Sequence, residues 1–424
     1  MIRFLLKGLL RDRSRSLFPI ITVTSGVMLT VVAYSWISGI MGSMERNTAI
    51  HDTGHVRIIT RAYAAESSQV PNDLALTGVD ELLNEMRREH PDMLWTARIR
   101  LGGLLDVPDA AGETKAQGPV AGLGVDLFSP ASPEPRLLNL ARSVVRGRMP
   151  SKPGEMLVSD DFATRLGVGV GDTATLIGST MDGAMATANF KVAGTIRFGI
   201  AILDRGAMIA DLADVRRALD MEDAAGEILG FFADLQYRRK AAEALKTRFN
   251  AARTNTKDEF SPEMFTLRDA PGIGGQMDYI EYFSSILLVV FLVPMTIVLW
   301  NAGLMGGMRR YGEIGLRLAL GESHGRIYGA MMAESVLIGI AGSLLGTVLG
   351  LAVSYYLQFH GVHIGNMFQG TAVMVEETVR ARVMPASFVL GFVPGLAATV
   401  LGTAISGIGI FRRQTAQLAK EFGS

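Results

Sequence analysis

Six histidines, His51, His55, His90, His324, His360 and His363, are the side chains best suited to bind a metal or carry a proton. Only the "HGVH" of His360 and His363, with Met367 close behind, has a spacing that suits a metal, and it brings no third strong ligand. Asp278 and Glu281 in "GQMDYIEYF" read as a solvated helix start rather than a catalytic pair. No Ser, His and Asp stand in an order that defines a nucleophile and its base. "LGVGVGDTATL" has the glycines of a phosphate cradle, but a P-loop requires G-x-x-x-x-G-K-[ST] between a strand and a helix. No lysine follows here and the next residues are β-rich, so the stretch reads as a tight Gly-Asp turn entering a strand. A Walker motif is absent from all 424 residues. The chain has no cysteine, which excludes disulfides, thiol catalysis and cysteine-ligated zinc or iron–sulfur sites. Its 41 basic and 41 acidic residues cancel, so bulk attraction to nucleic acid is not indicated. The expectation is a chain without catalytic residues, bound cofactor or metal.

What remains is a charged stretch in an unexpected place. "RRYGEIGLRLALGESHGRI", residues 309–327, lies between the apolar runs "YFSSILLVVFLVPMTIVLW" and "SVLIGIAGSLLGTVLGLAVSYYL". As a helix it gathers Arg310, Glu313 and Arg317 on one side, with Glu313 four residues before Arg317, the favourable order for an ion pair. Ile314 and Leu318 lie beside them, and Gly321 suits the C-terminal cap. Such a helix can rest on lipid, or enter a groove on a partner with apolar anchors and charges that fix register.

The elements around it explain its place. The chain is 49% hydrophobic with mean hydropathy +0.28. Four segments, 17–40, 278–304, 328–357 and 385–411, reach the roughly 20 apolar residues that cross a bilayer. Basic residues cluster before the first (Arg3, Lys7, Arg11, Arg13, Arg15), between the second and third (Arg309, Arg310, Arg317, Arg326) and after the fourth (Arg412, Arg413, Lys420). Positive residues stay inside, so both termini and the stretch 305–327 are expected in the cytoplasm. Residues 1–16 are expected to form an interfacial helix, with Lys7, Arg11 and Arg15 as a basic stripe. Residues 41–277 and 358–384 then lie outside, and 412–424 form a cytoplasmic tail. Within the spans, Gly342, Gly346 and Gly350 form two G-x-x-x-G steps, and Gly391, Gly395 and Gly402 recur on the last segment. Small residues on one face let helix backbones approach closely in lipid. Few ionisable groups enter the spans, which disfavours an ion- or proton-coupled carrier. Glu334 is the exception, read as a hydrogen-bonding anchor for the preceding helix.

The outside region reads as a mixed α+β (α/β) domain. Strands are expected in "GHVRIITRAY", "GPVAGLGVDLFSP", "DTATLIGS", "NFKVAGTIRFG" and "FFADLQY". Helices are expected in "GVDELLNEMRREHPDM", "DDFATRLGV" with Gly167 as its cap, "DLADVRRALDM" and "RKAAEALKTRFNAAR". The fold class expected is a four-helix membrane protein with a large extracytoplasmic domain between the first and second helices.

The charged stretch resembles the arginine-x-x-Glu-Ile-Gly-x-x-Arg-Ala-Leu-Gly-Ala-Ser pattern of FtsX-like ABC transporter permeases. Arg309, Glu313, Ile314, Gly315, Leu316, Gly321 and Ser323 match as they stand, Arg317 and Ala319 bracket Leu318, and Glu334 matches the glutamate that opens the next span. Glu322 departs from the usual small residue, and the tail "FRRQTAQLAKEFGS" lacks the common Pro-Ala-x-x-Ala-Leu ending. "VVRGRMPSKPGEMLVSDDFATRLGVGVGDTATL" and its neighbours resemble the periplasmic core domain of macrolide-exporter-type permeases, and "DTGHVRIITRAY" looks most like lipoprotein-releasing permeases. The resemblance implies that the charged helix is a coupling helix. It would dock on a separate ABC ATPase, present in two copies, which brings ATP and Mg. A second permease, identical or related, completes the assembly in the bacterial inner membrane. ATP-driven movement would reach the external domain and extract or export a lipoprotein or other hydrophobic substrate. The alternative implied is a transducer that uses the same movement to regulate a cell-wall hydrolase or to sense a peptide.

Overall fold

The computed structural model describes residues 13–109, 111–199, 201–254, 257–270, scattered positions between 274 and 301, 311–363 and 378–412. Residues 1–12, most of 271–310, 364–377 and 413–424 lie outside that description. So do the expected N-terminal interfacial helix, much of the second span, Arg309, Arg310, Met367 and the tail.

Two compact units divide the chain. One is drawn from residues 1–41, 279–364 and 377–424, the other from 42–278 and 365–376.

The first unit is helical. Its long helices are α1 (Arg13–Thr48, which continues into the second unit), α2 (His324–His360) and α3 (Pro385–Arg412), and α4 is described over Tyr311–Ala319, just before α2. Among the described residues three helices are long and apolar enough to cross a membrane: Leu17–Thr53, His324–His360 and Pro385–Ile405. The scattered described positions of 278–304 are helical. Large apolar side chains face outward: Phe18, Ile21 and Leu29 on α1, Leu344, Leu345, Val348 and Leu349 on α2, Phe388, Val389 and Val393 on α3. The inside is made of small residues. Val23, Val27 and Val31 are at most 2% exposed and form a buried cluster with Ala398. Large apolar groups outside and glycine, serine, threonine and valine inside is the pattern of a protein whose solvent is lipid, where helices gain by close approach rather than by hiding from water. Interior hydroxyls bond back along their own helices, Thr30 to the Gly26 carbonyl at 2.9 Å and Thr399 to that of Gly395 at 2.7 Å.

The second unit is built on strands. In chain order these are β1 (Val56–Thr60), β2 (Leu76–Thr77), β3 (Met93–Pro108), β4 (Thr114–Val125), β5 (Val144–Gly147), β6 (Glu155–Ser159), β7 (Thr173–Ser179), β8 (Met185–Ile196), β9 (Ala207–Asp211), β10 (Ala224–Ala225), β11 (Glu227–Phe232) and β12 (Pro262–Thr266). Strands β3, β4, β9, β6, β8 and β7 pair in that order, and β7 pairs back to β3, so the six close into a ring. The order β12-β1-β11-β3 forms an open sheet beside it. The 16-residue β3 belongs to both: its first part, Met93–Arg98, pairs with β11, and Leu104–Asp106 pairs with β7. Helices α5 (Val79–Glu89) and α6 (Arg239–Arg253) pack on this framework through Val79, Leu83 and Met86 and through Ala242 and Phe249. Arg253 ties the two helices together by a bidentate pair with Glu85 at 2.6 and 2.7 Å. Helix α7 (Asp160–Leu166) ends at Gly167, whose φ of +66° is the left-handed value that a C-terminal glycine supplies without a Cβ clash. The expected turn in "LGVGVGDTATL" is present: Gly171 takes φ +99°, the Gly169 N–H donates to Asp172 at 2.8 Å, and β7 follows.

Two local expectations shift. "FFADLQY" is not a strand throughout: β11 ends at Phe232 and the chain turns at once, with Leu235 at φ +54°. "GHVRIITRAY" is strand only to Thr60, whose side chain accepts from the Tyr63 N–H and starts a short helix at Arg61.

Candidate functional site

Helix α4, described from Tyr311, ends abruptly for an identifiable reason. The Gly321 N–H donates to the Leu318 carbonyl at 3.0 Å and the Glu322 N–H to that of Arg317 at 3.1 Å, the paired bonds of a Schellman cap. Gly321 holds φ +89°, a conformation that a β-carbon resists. The chain then restarts as α2 with Ser323 as the residue before its first turn.

The cap fixes which side chains of α4 face where. Leu318 turns inward onto Ile327 and Met331 of α2, both under 10% exposed. Gly315 is buried. Leu316 and Leu320, four residues apart, are 63% and 80% exposed, and Arg317 beside them is half-buried. Two leucines one turn apart on an outward face form an apolar ridge with a charge at its side. Sequence reading had placed Ile314 and Leu318 as the apolar neighbours of the charges. Of these, Leu318 faces inward, and the outward apolar residues are Leu316 and Leu320. The side chains of Glu313 and Ile314 lie outside the described residues. Glu334 is half-buried on α2, near the cytoplasmic end expected for that helix.

The glycines that recur at four-residue spacing on the apolar helices lie where a side chain would not fit. A β-carbon on Gly342 would stand 2.7 Å from the Val23 Cβ, on Gly346 2.6 Å from the Thr24 carbonyl, and on Gly350 2.8 Å from the Val31 Cβ. The G-x-x-x-G steps of α2 therefore run in register with the valines spaced four apart on α1. From α3, Gly395 meets Val27 and Ser343, Gly391 meets Val31 and Thr347, and Gly402 would meet the Trp300 carbonyl at 2.6 Å. The Arg382 N–H donates to the Ser35 carbonyl of α1 at 2.8 Å. His360 stacks on Tyr356 with ring centres 4.3 Å apart, and His363 lies in a two-residue strand pairing with Thr378.

In the external unit, sequence reading missed a buried set of charges. Arg98 and Glu134 are both fully buried and make a two-pronged ion pair at 2.8 and 2.9 Å. Arg100 pairs with Glu227 at 2.9 Å and with Asp52 at 2.9 Å. Arg57 lies 3.7 Å from Glu227 on its other side. Nearby, His55 accepts the Phe232 N–H on Nδ1 at 2.9 Å, so its ring proton sits on Nε2. Burial pushes the imidazole down to about 4, outweighing the opposing pull of the Asp234 carboxylate. Farther along, Glu155 takes the Arg148 guanidinium in a fork and the Ser151 N–H at 2.8 Å, which hold its carboxyl down at about 2. The signal that could have found the first set is a pair of arginines two apart inside an otherwise apolar run, "WTARIRL".

The MacB-like periplasmic core domain matches residues 16–248, and the FtsX-like permease C-terminal domain matches residues 285–415. The lipoprotein-releasing system transmembrane protein LolC of Xylella fastidiosa strain 9a5c is 24% identical over 235 residues, 53% of this chain and 54% of LolC. The macrolide export ATP-binding/permease protein MacB of Bordetella avium is 28% identical over 162 residues, 38% of this chain and 24% of that protein. The chain thus spans about half the length of the LolC relative and a quarter of MacB. Among solved structures, the periplasmic region of MacB from Actinobacillus actinomycetemcomitans aligns with a TM-score of 0.34 at 12% identity, covering 52% of this chain and 91% of that one.

Proposed function

This chain belongs to the ABC transporter permeases that join a MacB-like periplasmic core domain to an FtsX-like permease C-terminal region, and on that premise we propose how it works. It is an inner-membrane subunit driven by a separate cytoplasmic ATPase. It extracts or exports a lipoprotein or other hydrophobic substrate at the outer face of the membrane, as the LolC relative's name suggests. Two ATPase copies supply ATP and Mg, and a second permease, identical or related, completes the complex.

The observation that carries this reading is the outward face of α4. Leu316 and Leu320 sit exposed on a helix capped at its C-terminal end by Gly321, with Arg317 beside them. On the water side of a membrane such a ridge favours a groove on a soluble partner. Arg309, Arg310, Glu313, Ile314, Gly315 and Arg317 complete the coupling element. Leu318 and Gly321 fix its angle by packing on α2 and by the cap. Glu334 is proposed to brace it from the next helix, and the glycines at 342, 346, 350, 391, 395 and 402 are proposed to let the helices move as one packed body. The termini and the charged turn are proposed to be cytoplasmic.

The test is to substitute the ridge. Leu316→Asp with Leu320→Asp, or Arg317→Glu, should abolish co-purification of an ATPase while leaving the melting temperature of the chain unchanged. Full ATPase activity bound to either variant would refute the assignment.

A further inference from the structure

Between the first apolar helix and the first strand of the external unit the chain makes a π turn, Ala49–Thr53, closed by the Gly54 N–H on the Ala49 carbonyl at 2.8 Å. The last carbonyls of a helix have no partners within it and carry the negative end of its dipole. Here they are taken by two arginines of one strand. Arg98 Nη1 donates to the Ile50 carbonyl at 2.7 Å. Arg100 Nη2 donates to the carbonyls of His51, at 3.4 Å, and of Asp52. The two arginines are two residues apart on β3, hence on one face.

Each arginine is also held from behind. Glu134, in a short helix after β4, grips Arg98 through both oxygens. Glu227, 1% exposed on β11, grips Arg100 and lies beside Arg57 of β1. Ala49 and Ile50 are themselves packed into an apolar cluster with Leu137, Leu229 and Phe231. Three adjacent strands and one short helix thus converge on a single helix end. Stability alone does not call for this. A buried ion pair costs desolvation, and well-packed apolar residues of the same volume often serve as well or better. What the charged set adds is direction: forked guanidinium groups bind carbonyls and carboxylates in a fixed geometry.

We propose that Arg98 and Arg100 are positioning residues that fasten the outer end of the first apolar helix to β3, so that the external sheet and strand ring follow the displacement of that helix end. Strand β3 suits the task because it belongs to both the open sheet and the ring. The use of this joint in transport rests on the permease reading; the joint itself does not.

Because the chain has no cysteine, two introduced cysteines can be spin-labelled without background. Met44→Cys, on the last turns of α1, and Thr187→Cys, exposed on β8, span the joint within the external unit. Electron-electron resonance on the full chain, with whatever ATPase co-purifies, gives the distance distribution with and without ATP and vanadate. The wild type should show one narrow distribution that nucleotide leaves unchanged. Arg98→Met with Glu134→Leu, which keeps the volume and removes both charges, should broaden it. Arg100→Lys, a milder change that keeps the charge and loses the fork, should broaden it less. The control Arg253→Met with Glu85→Leu removes another arginine–glutamate pair of the same unit and should lower the melting temperature without broadening. Folded variants of Arg98 and Arg100 with the wild-type width would overturn the proposal. Absence of a co-purifying ATPase would count against the permease reading and leave the width comparison to decide the joint.

Discussion

The two units hold themselves together by opposite means. In the apolar helices the contacts are made by leaving side chains out: Gly342, Gly346 and Gly350 lie against Val23, Val27 and Val31, and the large residues face outward. In the external unit the most deeply buried ion pair is made by putting charge in: Arg98 and Glu134 meet with neither exposed. The difference follows from the solvent. Among lipid tails, burying apolar surface gains nothing, so helices associate by close contact. In water the apolar core supplies the driving force, and a buried charge can be retained for the orientation it imposes. The lesson is that one chain marks its two environments by where its large and small residues lie, as well as by hydropathy.

The contrast can be broken at either end. The largest effect is expected from Arg98→Ala, which leaves Glu134 as an unpaired buried charge and should cost about 3–5 kcal/mol of stability in the external unit, read by thermal or denaturant unfolding. Gly346→Leu comes next. Its added atoms meet the Thr24 carbonyl and Val27, so overpacking should destabilise the helical unit by about 1–3 kcal/mol. Gly329→Ala, which meets nothing within 4 Å, should be silent in the same detergent melt.

A further effect separates the units by pH. His55 is held neutral in the folded state down to about pH 4, whereas the unfolded chain takes up its proton near the ordinary value of 6.5. Between those two values the unfolded state binds the extra proton, so stability should fall as the pH drops from 6.5 towards 4. Burial likewise pushes His51 down to about 4, so His55→Asn, whose amide oxygen can replace Nδ1 as acceptor for Phe232, should flatten that slope in part when melting is followed from pH 7 to 4.5. The smallest measurable change is expected at Arg216→Ala. It breaks a pair with Asp80, which is 62% exposed, and should shift stability by no more than about 1 kcal/mol, reduced further by salt.

Much of this was legible in the sequence, for physical reasons that differ by element. Gly167 and Gly321 could be read as caps because each follows an amphipathic helical stretch, and both take positive φ. The glycine steps of α2 could be read because a four-residue period places them on one helix face. Strand β3 could not. Its first part is buried on both faces, so alternation is lost, and its two arginines look like solvent residues until their carbonyl partners are known. Strands β6 and β9, "EMLVS" and "AMIAD", are five-residue runs buried throughout, too short to separate from helix by periodicity. The first helix runs on to Thr48, past residue 40, where the apolar segment ends, because polar residues such as Ser43, Glu45 and Asn47 end a hydrophobic span without breaking a helix. On α4, the helix and its cap were legible from periodicity and Gly321. The outward ridge of Leu316 and Leu320 required knowing that Leu318 packs on α2.

The most direct test of the central claim is the mass of the intact complex. The tagged chain would be purified from its native membrane in mild detergent, and its mass and ATPase activity measured on the same sample. A species containing two permease chains and two copies of a soluble ATPase, active in hydrolysis, is expected. A chain recovered alone and inactive, under conditions that preserve another ABC transporter, would contradict that claim.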